Sequence, residues 1–201
     1  SSSSAASDVY KRQPLYCYSY KNLRENVENF KKAFEEIKPL ICFSVKSNSN
    51  ISLLKEIKKL GLGADVVSKG ELYASLKAGI DKNKIVFSGV GKTRDEIEYA
   101  IKQKILLINS ESLSEVLAIE AAAKKLNKVV DIGLRLNPDT DAETLKQIST
   151  GKSENKFGVD KKTFVKIINL MKQSKFINIK CLSVHIGSQI LNHKPYEKML
   201  N

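Results

Sequence analysis

The stretch Val129-Val130-Asp131-Ile132-Gly133-Leu134-Arg135-Leu136 puts Val130, Ile132, Leu134 and Leu136 on one side of an extended chain and Asp131, Gly133 and Arg135 on the other. One side is large and apolar; the other is small or polar and ends on a charge. The same division recurs upstream, where Ile41, Phe43 and Val45 oppose Cys42, Ser44 and Lys46. It recurs downstream, where Leu182, Val184 and Ile186 oppose Cys181, Ser183 and His185. In a barrel one face of each strand points into a closed interior while the other meets helices, so unequal faces favour a barrel over an open doubly wound sheet. Lys46, Arg135 and His185 each close their strand, and barrel active sites are assembled at the carboxyl ends of strands.

Three more short apolar runs, at positions 64–67, 85–87 and 105–108, join those at 40–45, 129–136 and 177–186. The first five begin roughly 20 to 25 residues apart, a spacing that accommodates a strand, a turn and an amphipathic helix. Residues 51–59, 69–78, 93–103, 112–126 and 161–171 carry apolar side chains three and four positions apart among lysines and glutamates, which predicts crossover helices. Thr93-Arg94-Asp95-Glu96 has the form of a capping box, the hydroxyl satisfying a free amide at the helix start and Glu96 reaching back. No linker or low-complexity segment interrupts residues 14–201. The chain is read as α/β, a partial TIM (β/α)8 barrel with about six of its eight strands present.

Composition removes several classes of function. Hydrophobic residues make up 42% of the 201, which argues against wholesale disorder. No apolar run approaches the roughly 18 residues of a membrane span. Thirty-four basic residues against 22 acidic ones give a net charge of +12, yet the lysines are spread over several helices without interleaved aromatic residues, so no nucleic-acid partner is expected. Cys17, Cys42 and Cys181 are odd in number and sit in strand-like stretches. They read as reduced core residues of a cytoplasmic protein, with neither a disulfide framework nor a metal cluster. His193 reads as a surface residue without an evident partner.

The two ends look unlike the rest. Residues 1–13 resemble the in-frame translation of a transposase adaptor rather than an export signal, and they are set aside as a non-native leader. Thirty-two basic against 21 acidic residues remain, so the charge of the rest is still +11. Pro195 opens a helix-like segment that stops at Asn201, and truncation at both ends is the expectation, with residues 14–201 forming an incomplete barrel domain.

Lys46 follows an apolar strand and precedes Ser47-Asn48-Ser49-Asn50. An amine at a strand end in a polar turn can attack a carbonyl and form a Schiff base. Phe43-Ser44-Val45-Lys46-Ser47-Asn48 resembles the aldehyde-binding lysine motif of the pyridoxal-phosphate decarboxylases built on the alanine-racemase-like barrel. Gly63-Ala64-Asp65-Val66-Val67-Ser68-Lys69-Gly70-Glu71-Leu72 is similar to the same family. So are Ile148-Ser149-Thr150-Gly151, Glu154-Asn155-Lys156-Phe157-Gly158-Val159 and His185-Ile186-Gly187-Ser188-Gln189. Within the family the set most resembles the diaminopimelate decarboxylases, across residues 14–201.

That resemblance implies decarboxylation of meso-2,6-diaminopimelate to L-lysine and carbon dioxide, with pyridoxal 5'-phosphate as cofactor, in a cytoplasmic homodimer when full-length. Lys46 would carry the cofactor aldehyde and yield it to the substrate amine. His185 would stack on the pyridine ring, and Ser188 would bond the phosphate or else cap the next helix. Asp65 and Arg135 would line the site near the ring hydroxyl, with Ser68 and Glu71 in support, although Asp65 and Glu71 also suit structural roles at a turn and a helix start. Family members commonly have histidine where Leu145 stands. The family's last two barrel strands, glycine-rich phosphate loop, acidic partner of the pyridine nitrogen and C-terminal β-domain are absent, so this stretch alone is expected to be inactive and prone to associate through its open edges. An ornithine or arginine decarboxylase of the same fold and a non-catalytic cofactor-binding protein are the alternatives.

Overall fold

Burial sorts the strand residues as the alternation requires. Val45, Ala64, Val66, Ile85, Phe87, Ile108, Ile132 and Leu134 are all at most 1% exposed, while Gly63, Asp65, Asn109, Gly133 and Ser183 share the opposite face. The computed structural model describes residues 16–139 and 157–200. The expected leader, Leu145 and the motif residues at 148–151 and 154–156 lie outside these. Contacts divide the chain between Pro39 and Leu40 into two units.

The first unit holds α1 (Tyr20–Ala33). The Ser19 hydroxyl caps it by accepting from Asn22 N–H at 3.2 Å, and Arg24 pairs with Glu28 one turn on at 2.7 Å. This helix was not among those expected, although Leu23, Val27 and Phe30 recur along it at four- and three-residue spacing; it buries no residue. Cys17 departs from expectation: it lies exposed in the segment ahead of α1 rather than in a strand, and none of the described residues of this unit covers it.

The second unit is one parallel sheet in the order β1 (Cys42–Ser44), β2 (Gly63–Val66), β3 (Ile85–Phe87), β4 (Leu107–Ser110), β5 (Val130–Arg135), β6 (Ile177–Ser183). Sequential parallel neighbours need a crossover at every step. Helices α2 (Ile51–Lys59), α3 (Lys69–Lys77), α4 (Arg94–Gln103), α5 (Leu113–Leu126) and α6 (Lys161–Met171) provide them, and α7 (Lys194–Leu200) follows β6. The Thr93 capping box is formed in full at the start of α4. Side chains of Asn50, Ser68, Ser112 and Asp160 cap α2, α3, α5 and α6 in the same way. None of the described helices is long and apolar enough to cross a membrane.

Every strand but β3 differs in its bounds from the apolar run that predicts it, β4 and β6 most. β4 starts and ends two residues later than residues 105–108, because Lys104 turns left-handed (φ 55°) at the end of α4 and Ile105-Leu106 complete the turn. On β6 the alternation holds at the start but Leu182 and Val184, expected beneath a helix, are 58% and 38% exposed. Among the described residues β6 pairs only with β5, so it is an edge strand with one apolar flank uncovered.

Gly133 shows how closely the inner face is packed. A Cβ there would lie 2.6 Å from Asn109 Oδ1 and 3.1 Å from Leu107 Cδ2. Its Cα pairs with Asn109 on β4 and Cys181 on β6. Asn109 Oδ1 in turn accepts from the Ser183 hydroxyl at 2.9 Å, which ties β4 to β6 across the glycine.

Candidate active site

The carboxyl ends of the six strands bring together most of the residues singled out above. Lys46 sits in a single 3-10 turn, Val45–Ser47, directly after β1, and its side chain is exposed. Ser47 Oγ locks that turn by donating to Ser44 O at 2.7 Å. Asp65 pairs in register with Ser44 and is half-buried on the inner face.

Burial pushes the Asp65 carboxyl above its ordinary range, offset by a hydrogen bond from the Ser88 hydroxyl and by the charges of Lys46, His185 and Lys92. His185 follows β6, and its Nδ1 accepts the Gly187 N–H at 3.1 Å. Partial burial, then the charges of Arg135 and Lys46, hold its imidazole below the usual 6.5, while Glu111 and Asp65 pull the other way. His185 thus lies within electrostatic reach of Lys46, Asp65 and Arg135, and Asp65 within reach of Lys46, although they are far apart in sequence.

Arg135 is nearly buried. It donates from Nη1 to Glu111 Oε1 at 2.9 Å and from Nη2 to His185 O at 3.3 Å, and its guanidinium lies 5.2 Å from the centre of the Phe157 ring. Glu111 Oε2 accepts the Gly158 N–H at 3.1 Å, so the Phe157-Gly158 segment docks on the same carboxylate. Behind it, Lys92 and Glu115 form an ion pair at 2.6 Å with side chains 1% and 9% exposed.

Glu111, Ser88 and Lys92 were not singled out from the sequence. The signal for Glu111 was present: with β4 carried on to Ser110, Leu107, Asn109 and Glu111 fall on the inner face with the parity of Gly133 and Arg135. Other residues fall elsewhere. The Ser68 hydroxyl accepts from Glu71 N–H at 3.2 Å and Glu71 Oε2 accepts from Val67 N–H at 2.9 Å, so this pair shapes the turn that follows Asp65. Ser188 lies exposed between Gly187 and the left-handed Gln189. It does not cap α7, whose first N–H is taken by Asn192 Oδ1. His193 does have a partner, Glu197, at 3.4 Å one turn along. Burial raises the thiols of Cys181 and Cys42, the latter to about 11, and the three cysteines are free. Among the described residues no group of histidine, cysteine and carboxylate side chains could hold a metal.

Residues 20–201 match the model of the pyridoxal-dependent decarboxylase family, pyridoxal binding domain. The chain belongs to that family. Among curated pyridoxal-dependent decarboxylase relatives, the diaminopimelate decarboxylase of Helicobacter pylori strain J99 is 45% identical over 184 residues, 92% of this chain. That of Aquifex aeolicus is 43% identical over 185 residues. The chain spans about half the length of these relatives, 45% and 44% respectively. The crystal structure of the Helicobacter pylori diaminopimelate decarboxylase complexed with L-lysine superposes with a TM-score of 0.91 at 41% identity, covering 96% of this chain and 50% of that one. An arginine decarboxylase of Paramecium bursaria Chlorella virus shares the fold, with a TM-score of 0.71 at 22% identity. The six-stranded parallel sheet is accordingly a sector of a pyridoxal-dependent decarboxylase barrel.

The donor set suits the family's cofactor. An exposed amine at one strand end faces an aldehyde's needs, an imidazole held below its ordinary pKa is neutral at neutral pH and can lie against an aromatic ring, and a hydroxyl in the turn after β6 can meet a phosphate.

Proposed function

We propose that the full-length protein removes one carboxylate from meso-2,6-diaminopimelate to give L-lysine and carbon dioxide, with pyridoxal 5'-phosphate bound at Lys46. The observation that carries this reading is the electrostatic reach of His185 to Lys46, Asp65 and Arg135 at one end of a sheet whose sequence is 45% identical to a diaminopimelate decarboxylase. Pyridoxal phosphate, when bound, contributes an electron sink for the charge left on carbon as carbon dioxide departs.

The chain's own residues do the rest. The Lys46 amine holds the cofactor aldehyde and takes part in exchange with the substrate amine. The neutral His185 ring packs on the pyridine face, and the Ser188 hydroxyl donates to the phosphate. Asp65 and Arg135 line the site near the ring hydroxyl, Arg135 with its charge balanced by Glu111. Ser68 and Glu71 hold the turn that follows Asp65. The reading includes a cytoplasmic homodimer, to which free rather than paired cysteines are suited.

The test is to add pyridoxal phosphate to the full-length protein, reduce with borohydride, map the modified lysine by mass spectrometry and assay lysine release from meso-diaminopimelate. Label on Lys46 together with lysine release is the expected result. Label without release would redirect the assignment to ornithine or arginine decarboxylation or to a binding role, and no label at Lys46 would overturn the reading.

A further inference from the structure

Four buried charges run in one line behind the site. Lys92, on the loop between β3 and α4, gives its three ammonium protons to Gly89 O, Asn109 O and Glu115 Oε1, which saturates it. Glu115 turns its other oxygen to the Glu111 N–H at 2.9 Å. Glu111 then divides its carboxylate between Arg135 Nη1 and Gly158 N–H, and Arg135 reaches His185 O. Two positive and two negative charges cancel. Lys92 spends all three donors, every carboxylate oxygen of Glu111 and Glu115 accepts a bond and Arg135 makes two, and buried charge is tolerated where it is paired and hydrogen-bonded.

The geometry of Glu111 has a use that simple packing does not require. It stands at the end of β4, it is 4% exposed, and its two oxygens face two different elements. One oxygen sets Arg135 at the end of β5, and through Arg135 the backbone of His185 at the end of β6. The other sets the chain at Gly158, whose positive φ of 76° and tight approach to Arg135 O leave no room for a side chain. Glu115, paired with Lys92, holds the backbone N–H of Glu111 from behind, and the carboxylate itself is held by Arg135 and Gly158, so it cannot swing without breaking those two bonds.

Resting on the cofactor reading above, we infer that Glu111 is a positioning residue of the site: by dividing its carboxylate between Arg135 and Gly158 it fixes the backbone of His185, and hence the ring that packs on the cofactor. Glu111 touches neither cofactor nor substrate in this role. It acts through Arg135.

The experiment compares full-length holoenzymes carrying Glu111→Gln and Glu111→Met, with Ser174→Ala, which removes a bond to Glu120 at the amino end of β6, as a destabilised control at the other end of the sheet. Pyridoxal phosphate affinity, the visible circular dichroism band of the Lys46-linked cofactor and borohydride labelling of Lys46 are read in parallel. Glutamine keeps one acceptor oxygen and methionine none, so cofactor affinity is expected to fall about fivefold in Glu111→Gln and about twentyfold or more in Glu111→Met. The dichroism band should weaken in the same order, with Lys46 still labelled and the far-ultraviolet spectrum unchanged. Ser174→Ala should lower the melting temperature and leave the band alone. If Glu111→Met does not fold, Glu111→Gln decides. Affinity and band equal to wild type in Glu111→Gln, or a band altered as much in Ser174→Ala, would overturn the inference, whereas failure of wild-type Lys46 to label would overturn the cofactor reading beneath it.

Discussion

Arg135 and Glu111, 24 positions apart in sequence, meet at 2.9 Å with side chains 11% and 3% exposed, each at the carboxyl end of its strand. Such a pair forms only when β4 and β5 are neighbours in register, Ile108 to Ile132 and Ser110 to Leu134. Its consequences reach His185 on one side and Lys92 on the other.

Removing one partner of the more deeply buried pair should be costly. Lys92→Met leaves Glu115 Oε1 and two carbonyls without their donor, and the expected loss is about 3–5 kcal/mol in urea unfolding. Lys92→Met combined with Glu115→Leu removes both charges and should lose less than the single substitution. A double variant that is no more stable than Lys92→Met would show that the two side chains do not act as a pair.

The His185 imidazole should titrate below 6.5 in an NMR pH series. A base whose folded pKa is depressed takes up its proton later in the fold than in the unfolded chain, so its stabilising contribution is full above about 6.5 and is lost as pH falls through the folded value. Arg135→Gln should raise the midpoint, and Glu111→Gln should lower it further. Equal midpoints in all three proteins would mean that Arg135 and Glu111 do not act on this ring.

Gly133→Ala should cost about 1–3 kcal/mol in thermal unfolding, since its methyl group would push on Asn109 and break the bond from Ser183. Adding Asn109→Ala clears that space and should return part of the loss. A single variant that melts with the wild type would mean that β4 and β5 separate freely at this point.

Ser75 on α3 is fully buried and its hydroxyl has no hydrogen-bond partner among the described residues. An unsatisfied buried hydroxyl is a cost rather than a support, so Ser75→Ala should stabilise by about 1 kcal/mol in urea unfolding. A loss of stability instead would reveal a partner for the hydroxyl in solution.

Much of the fold was legible because periodicity is a local property. Alternation within β5 separates Val130, Ile132 and Leu134 from Asp131 and Arg135 whatever the rest of the chain does, and Ile51–Lys59 and Lys161–Met171 are helices over the very residues whose spacing predicts them. Boundaries were less legible where a turn depends on backbone conformation, as at Lys104, whose left-handed φ moves β4 along by two residues. α1 was legible too, through Leu23, Val27 and Phe30 at helical spacing, but it lies ahead of the strand-and-helix repeat that marks the other helices.

Sequence by itself determined the α/β alternation, the polar inner face, and Lys46, Arg135 and His185 as strand-end groups, since side-chain direction along a strand follows from its period of two. It also determined the family, through motifs that survive as contiguous strings. Only the tertiary structure decided that Glu111 divides its carboxylate between Arg135 and Gly158, that Lys92 is buried rather than one more surface lysine, and that Glu71 serves the turn at Val67. It also decided that Leu182 lies exposed at a sheet edge. Those facts depend on which strands become neighbours and on what covers them, and no local pattern carries that information.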